Sequence, residues 1–243
     1  MTEQIEGKNP VLEALRANHE IVKIYILNGE SGPFQEIMGL ARQKKIPVNL
    51  VDAKVLDRMA ASRNHQGVIA VAAQWKYAQI SEIFQKAALR NEPPFILLLD
   101  GLEDPQNFGS IIRTAEAAGV HGIIIPERRS VGLTAVVSRA SSGAIEHIPV
   151  VRVTNLTKTI EELKKQGLWF TGADMNAAKP YHESDLKGAV GIVMGGEGSG
   201  ISRLVKEHCD QMVRLPMWGQ INSLNVAVAT GIILYEARRQ RSL

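Results

Sequence analysis

The stretch Phe95-Ile-Leu-Leu-Leu-Asp-Gly-Leu-Glu-Asp-Pro-Gln-Asn-Phe-Gly-Ser-Ile-Ile-Arg113 decides the architecture. Its first five residues form an unbroken apolar run, the pattern of a strand buried on both faces, as in a parallel sheet. Asp100-Gly101 ends the strand, and Asp104 and Asn107 are natural caps for a helix predicted over 107–118. Gly109 lets another group approach the first turn. On that helix Ile111, Ile112, Ala115 and Ala118 share a core-facing stripe, while Arg113 and Glu116 sit at i, i+3. A polar helix start at the carboxyl end of a strand is where open α/β sheets hold ligands.

The same alternation continues in both directions. Short apolar runs at 122–126, 148–152, 168–171, 190–194 and 212–216 read as strands. Stretches at 133–138, 156–166, 202–207 and 223–241 read as helices. Strand–helix alternation predicts an α/β domain with a parallel sheet covered on both faces. Upstream, helices at 10–15, 34–44 and 53–61 alternate with strands at 22–27, 47–51 and 67–72, enough for a small α/β/α domain. A polar amphipathic helix predicted over 80–89 ends in Arg90-Asn-Glu-Pro-Pro94, which cannot continue it. The predicted division is therefore 1–75 as a first domain, 76–93 as a linker and 94–243 as a second domain.

Composition sets only loose bounds. The 243 residues are 45% hydrophobic and 22% charged, with a formal net charge of +3, which permits a polyanionic partner without demanding one. The single cysteine, Cys209, excludes an internal disulfide and a multi-cysteine zinc site, so no metal is expected. The amino terminus has no basic-then-apolar leader, and the longest apolar helix candidate, 224–235, is too short to span a bilayer. A cytoplasmic protein with no membrane partner is the expectation.

Two further segments carry chemistry. Gly195-Gly-Glu-Gly-Ser-Gly200 follows a buried strand and precedes a helix, a setting in which backbone N–H groups hold an anion or a polar ligand edge. Ile201 stands where either the dinucleotide fingerprint or the P-loop needs a different residue, which disfavours nicotinamide and ATP sites. Leu215-Pro-Met-Trp-Gly-Gln-Ile-Asn-Ser-Leu-Asn225 joins a rigid proline and a glycine loop to a helix capped by Ser223. That helix reads as apolar nearly all round and hence buried, so Asn225 in its first turn needs polar partners.

Together these segments resemble the three motifs of the SpoU (TrmH-like) branch of the SPOUT RNA methyltransferases. Asn107-Phe-Gly109 with Arg113 resembles the first, Met194 to Gly200 the second, and Leu215-Pro-Met217 through Ser223-Leu-Asn-Val226 the third. The likeness covers roughly 95–241. Gly7-Lys-Asn-Pro-Val-Leu-Glu-Ala-Leu15 and His65-Gln-Gly-Val68 resemble the L30e-like RNA-binding domain of the ribosomal-RNA members. Within the family the chain is most similar to bacterial enzymes that methylate a guanosine 2′-oxygen in 23S ribosomal RNA.

The resemblance implies a deep trefoil knot in the second domain and a homodimer with a site shared across its interface. It also implies S-adenosylmethionine as cofactor, held near Thr171, Gly172, Gly195, Gly196, Gly200, Leu215, Met217, Gly219 and Leu224. Arg113 would be the base, with Asn107, Glu197, Ser223 and Asn225 positioning it and the ribose. A free guanidinium keeps its proton above about pH 12, so electrostatic stabilisation of the 2′-oxyanion is the competing role for Arg113. RNA contacts are expected from Lys8, Asn9, Arg63, Asn64 and His65, and from Arg128, Arg129 and Arg139. Ala227 departs from the serine often found two residues after the third-motif asparagine. The alternatives are a tRNA ribose methyltransferase, a resistance methyltransferase acting on ribosomal RNA, and a knotted RNA-binding protein without catalysis.

Overall fold

The computed structural model describes residues 2–29, 32–61 and 64–242. In chain order its main elements are β1 (Thr2–Glu6), α1 (Lys8–Arg16), β2 (Ile21–Leu27), α2 (Gln35–Gln43), β3 (Val48–Val51), α3 (Ala53–Met59) and β4 (Val68–Ala73). Then come α4 (Ile80–Leu89), β5 (Phe95–Asp100), α5 (Pro105–Ala117), β6 (Gly122–Pro126), α6 (Ala135–Ala140), β7 (Val150–Val153) and α7 (Leu156–Lys164). The last are β8 (Trp169–Ala173), β9 (Lys179–Pro180), β10 (Val190–Gly195), α8 (Arg203–His208), β11 (Gln211–Arg214) and α9 (Val226–Arg241). They form two compact units, Met1–Lys76 with Gly132–His147, and Tyr77–Val131 with Ile148–Leu243.

The first unit is built on a four-stranded sheet in the order β1-β4-β2-β3. β4 runs antiparallel to both β1 and β2, and β2 is parallel to β3. Ile5, Leu15, Ile24, Ile26, Phe34 and Ile37 form its core with α1 and α2. β1 escaped the sequence reading because Thr2-Glu-Gln-Ile-Glu6 has one apolar residue, and pairing with β4 supplies the order that side chains do not. The following helix also begins earlier than expected, after Gly7 at φ 100, so Pro10 lies inside the first turn.

Two expected boundaries need correction. Gly132–His147 belongs to the first unit although it lies within the predicted second domain. Polar contacts hold it there. Arg139 meets the buried Glu6 carboxylate at 3.2 Å, and His147 lies 2.7 Å from Glu13. Glu146 accepts from Trp75 Nε1 at 2.7 Å and lies 3.0 Å from His19 Nδ1. The helix read within the predicted linker is present as α4, but it is part of the second unit, because it buries Ile83 and Ala87 and Ile83 joins that unit's core.

In the second unit seven strands lie side by side in the order β7-β6-β5-β10-β8-β11-β9, every pair parallel. β5 and β10 are buried almost throughout, as unbroken apolar runs demand. From β5 the chain builds outward to β6 and β7, and it then resumes with β8 on the far side of β10. The sheet therefore has its topological switch around β5, β10 and β8, with a crevice above their carboxyl ends.

Candidate active site

Three chain segments converge above that switch. Asp104 caps α5 by accepting from Asn107 N at 2.7 Å, and Pro105 fills the first helical position, where no donor is needed. Asn107 is thereby relieved of the capping expected of it. Its side-chain amide donates to Glu197 Oε1 at 2.7 Å and its oxygen accepts from Asn225 Nδ2 at 2.9 Å. Asn225 Nδ2 also lies 3.3 Å from Glu197 Oε1. Three polar side chains, one from each sequence motif, thus close a hydrogen-bonded ring.

Asn225 also caps α9, its oxygen accepting from Ala227 N at 2.9 Å and Val228 N at 3.4 Å. This corrects the reading of Ser223 as the cap and of Asn225 as buried. The helix starts two residues later than the apolar pattern begins, and the cap stands in the open mouth of the site. Nor is α9 apolar inward on every side, since Val228, Ile232 and Tyr235 are exposed.

The glycine turn presents Glu197 through close backbone packing. A β-carbon on Gly196 would overlap the Gly101 carbonyl, and one on Gly195 would overlap the main chain at Gly200 and Ile201. Gly196 N donates to Asp100 O at 2.8 Å, and Ser202 N donates to Asp100 Oδ2 at 2.8 Å. Asp100 therefore pins both ends of the turn. Sequence reasoning missed this role, although a carboxylate closing a fully buried strand was the available signal.

A cavity of about 700 Å³ opens beside the ring. Gly195, Gly196, Gly200, Leu215, Met217 and Leu224 line it, as do Glu197, Ser223 and Asn225. Thr171 and Gly172 do not. Thr171 is fully buried with its hydroxyl accepting from Gln211 Nε2 at 2.8 Å, and Gly172 packs against Met212 and Cys209. The β8 end reaches the cavity two residues further on, through Ala173, Asp174, Met175 and Asn176. Gly219 also falls outside the lining, on the exposed part of its loop.

A shallow groove of about 550 Å³ between α5 and α9 adjoins the cavity, with Asn107, Ser110, Thr114, Asn225, Val228 and Tyr235 on its walls. Asn225 is common to both hollows. Arg113 is exposed on α5 and lines neither hollow. Among the described residues no cluster of three or more histidine, cysteine, aspartate or glutamate side chains is arranged to hold a metal. Burial, with Asp210 adding to it, pushes the Cys209 thiol up to about 11, the behaviour of a packing residue.

The basic residues expected to meet RNA divide. Lys8, Asn9 and Asn64 are exposed, and Lys8 N donates to Gln66 Oε1 at 3.0 Å, which joins the start of α1 to the loop that carries Asn64. His65 is committed to the fold, with Nδ1 accepting from Gly67 N at 3.1 Å and Nε2 lying 3.0 Å from Asp57. Arg63 lies outside the described residues. Arg128 and Arg129 are exposed just beyond β6, in the second unit, whereas Arg139 is held by Glu6 in the first.

Comparison with known proteins identifies the family. Residues 94–235 match the model of the SpoU rRNA methylase family, and residues 4–78 match that of the RNA 2′-O ribose methyltransferase substrate-binding domain. A TrmH-family tRNA/rRNA methyltransferase of Bacillus subtilis is 46% identical over 237 residues, covering 97% of this chain and 95% of the relative. The crystal structure of an RNA 2′-O ribose methyltransferase superposes with a TM-score of 0.82 at 27% identity, covering 100% of this chain and 90% of that one. An AdoMet-bound rRNA methyltransferase from Sinorhizobium meliloti gives a TM-score of 0.79 at 27% identity, over 98% of this chain and 87% of that one.

Proposed function

The chain belongs to the SpoU rRNA methylase family, and from that membership we propose that it methylates a ribose 2′-hydroxyl in ribosomal RNA with S-adenosylmethionine as donor. The observation that carries this reading is the Asn107–Glu197–Asn225 ring at the junction of a deeper cavity and a shallow groove. A volume of about 700 Å³ suits a cofactor of this size. Met194, Val213, Leu215 and Val226 supply an apolar wall for a purine, and the glycine turn supplies bare main chain. The bound cofactor supplies an electrophilic methyl group on a positively charged sulfur.

Passed to the ribose 2′-oxygen, that methyl group would leave its carrier as a neutral thioether. The hydroxyl proton must leave, and negative charge on the oxygen must be stabilised meanwhile. Glu197 is held by two amide donors, so its carboxylate orients both asparagines and thereby the ribose edge they meet. Ser223 lies on the same wall. Arg113 stabilises the oxyanion or takes the proton; its place on α5 outside both hollows suits a site completed by a second copy. A homodimer also accounts for Val228, Ile232 and Tyr235, an exposed apolar stripe along α9 that forms one wall of the groove.

The first unit is the substrate domain of this enzyme, contacting RNA through Lys8, Asn9 and Asn64, while Arg128 and Arg129 add charge from the second unit. Such contacts weaken steeply with salt. The finer reading, a guanosine of 23S ribosomal RNA, rests on the L30e-like pattern of the amino-terminal half, and the knot implied by the resemblance belongs to the same reading. Mass spectrometry of ribosomal and transfer RNA nucleosides, from cells with and without this protein, tests it. Loss of one 2′-O-methylguanosine from 23S RNA is expected. Loss from tRNA alone would move the substrate, and loss of no 2′-O-methylated nucleoside would end the proposal.

A further inference from the structure

Taking the cavity as the S-adenosylmethionine site, we propose that the Asp174–Lys206 ion pair is the subsite for the cofactor's amino-acid end. Lys206 Nζ faces the α-carboxylate and the Asp174 carboxylate faces the α-ammonium. Asp174 directly follows β8 and Lys206 lies on α8, and both line the cavity. The cofactor's two ends make opposite demands. Adenine needs an apolar, main-chain-lined slot, whereas the amino-acid end carries both charges and needs a partner for each.

Charge on the cavity wall is scarce. Among the described residues lining it, Asp174, Glu197 and Lys206 are the ionisable ones, and Lys206 is the one cation. Glu197 is already taken up by Asn107 and Asn225. The Asp174–Lys206 pair is thus where both signs occur together. It is also built rather than loose. Lys206 Nζ contacts Asp174 Oδ2, Asn176 N donates to Asp174 Oδ1 at 2.8 Å, and Asp174 N donates to Val213 O at 2.9 Å.

These contacts leave capacity for a ligand. A carboxylate offers about four lone-pair sites and an ammonium three donors, so each partner retains free positions. The Lys206 contact, more than any other, holds the Asp174 carboxyl below its ordinary range. A pair that merely tied the β8 end to α8 would have no need to lie on the cavity wall.

The test is calorimetric titration of the purified protein with S-adenosylhomocysteine and with 5′-methylthioadenosine. The second ligand keeps the adenosine and the thioether but lacks the amino-acid carbons. Lys206→Met and Asp174→Asn should each weaken S-adenosylhomocysteine by about tenfold or more, the effect of removing a charge-assisted hydrogen bond. Methylthioadenosine should change by less than about twofold in the same variants, which also serves as the check that they are folded. Lys206→Arg, which keeps the charge, should bind S-adenosylhomocysteine more tightly than Lys206→Met. Equal loss of both ligands, or no loss of S-adenosylhomocysteine, overturns the subsite. If the wild-type protein binds neither ligand, the cofactor reading itself has failed.

Discussion

Asn225 does two jobs, and substitutions separate them. Its oxygen caps α9 and its amide bridges Asn107 and Glu197. Asn225→Ala removes both, with a capping loss of about 1 kcal/mol, which lowers melting of a unit this size by about 2–4 °C. Asn225→Ser restores a cap but cannot reach Glu197, so stability should recover while catalysis does not. Asn225→Asp keeps a capping oxygen but sets a second carboxylate about where an amide now lies 3.3 Å from Glu197. At that separation the repulsion is about 1 kcal/mol in water and about 5 kcal/mol at an effective dielectric of 20. Both side chains are exposed, so the lower end applies, about 1–2 kcal/mol.

The sign of the pH dependence follows. The folded aspartate variant holds a proton more tightly than its unfolded chain, so its deficit is absent below about pH 4 and grows as pH rises towards neutrality. Thermal melts of wild type and the three variants across that range, with methyl transfer at neutral pH, are the assay. An aspartate variant as stable and active as wild type at neutral pH, or one with no pH-dependent deficit, would refute the ring geometry.

Three other outcomes are expected. Gly196→Ala forces the Gly101 carbonyl away and breaks the Gly196–Asp100 bond, so it should lose about 1–3 kcal/mol and cofactor binding together; unchanged calorimetric titration would contradict this. Glu146, hydrogen-bonded to His19, raises that histidine above its ordinary 6.5 against the opposing effect of burial. The stabilisation is full below 6.5 and is lost as pH rises through the raised value, so urea midpoints between about pH 6 and 9 should fall more in wild type than in His19→Gln. Finally, mixing inactive Arg113→Ala and Asn225→Ala chains should restore activity to about a quarter of wild type if each site takes one residue from each copy, and to none if it does not.

Much of the second unit was legible because its strands are unbroken apolar runs and its helices start at strong caps. β5, β6 and β10 need no tertiary information to be recognised. β1 and the two-residue β9 were not legible, since neither carries a periodic pattern and pairing alone orders them. Of the site, Asn107, Glu197 and Asn225 were named from sequence and do come together, whereas Asp100, Asp174 and Lys206 were given no place in it. A carboxylate after a strand and a lysine on a short helix are ordinary surface residues until the fold turns them toward one hollow.

By itself the sequence determined which apolar runs are strands, which loops lack side chains, and which polar residues have no business in an apolar helix start. Those properties depend on neighbours a few positions away. Only the tertiary structure decided that Asn225 rather than Ser223 caps α9, that Ala173–Asn176 rather than Thr171–Gly172 meets the cavity, and that Gly132–His147 packs with the first unit. Each turns on contacts between residues distant in the chain. Such contacts form wherever burial and hydrogen bonding are best satisfied together, and no local pattern encodes that choice.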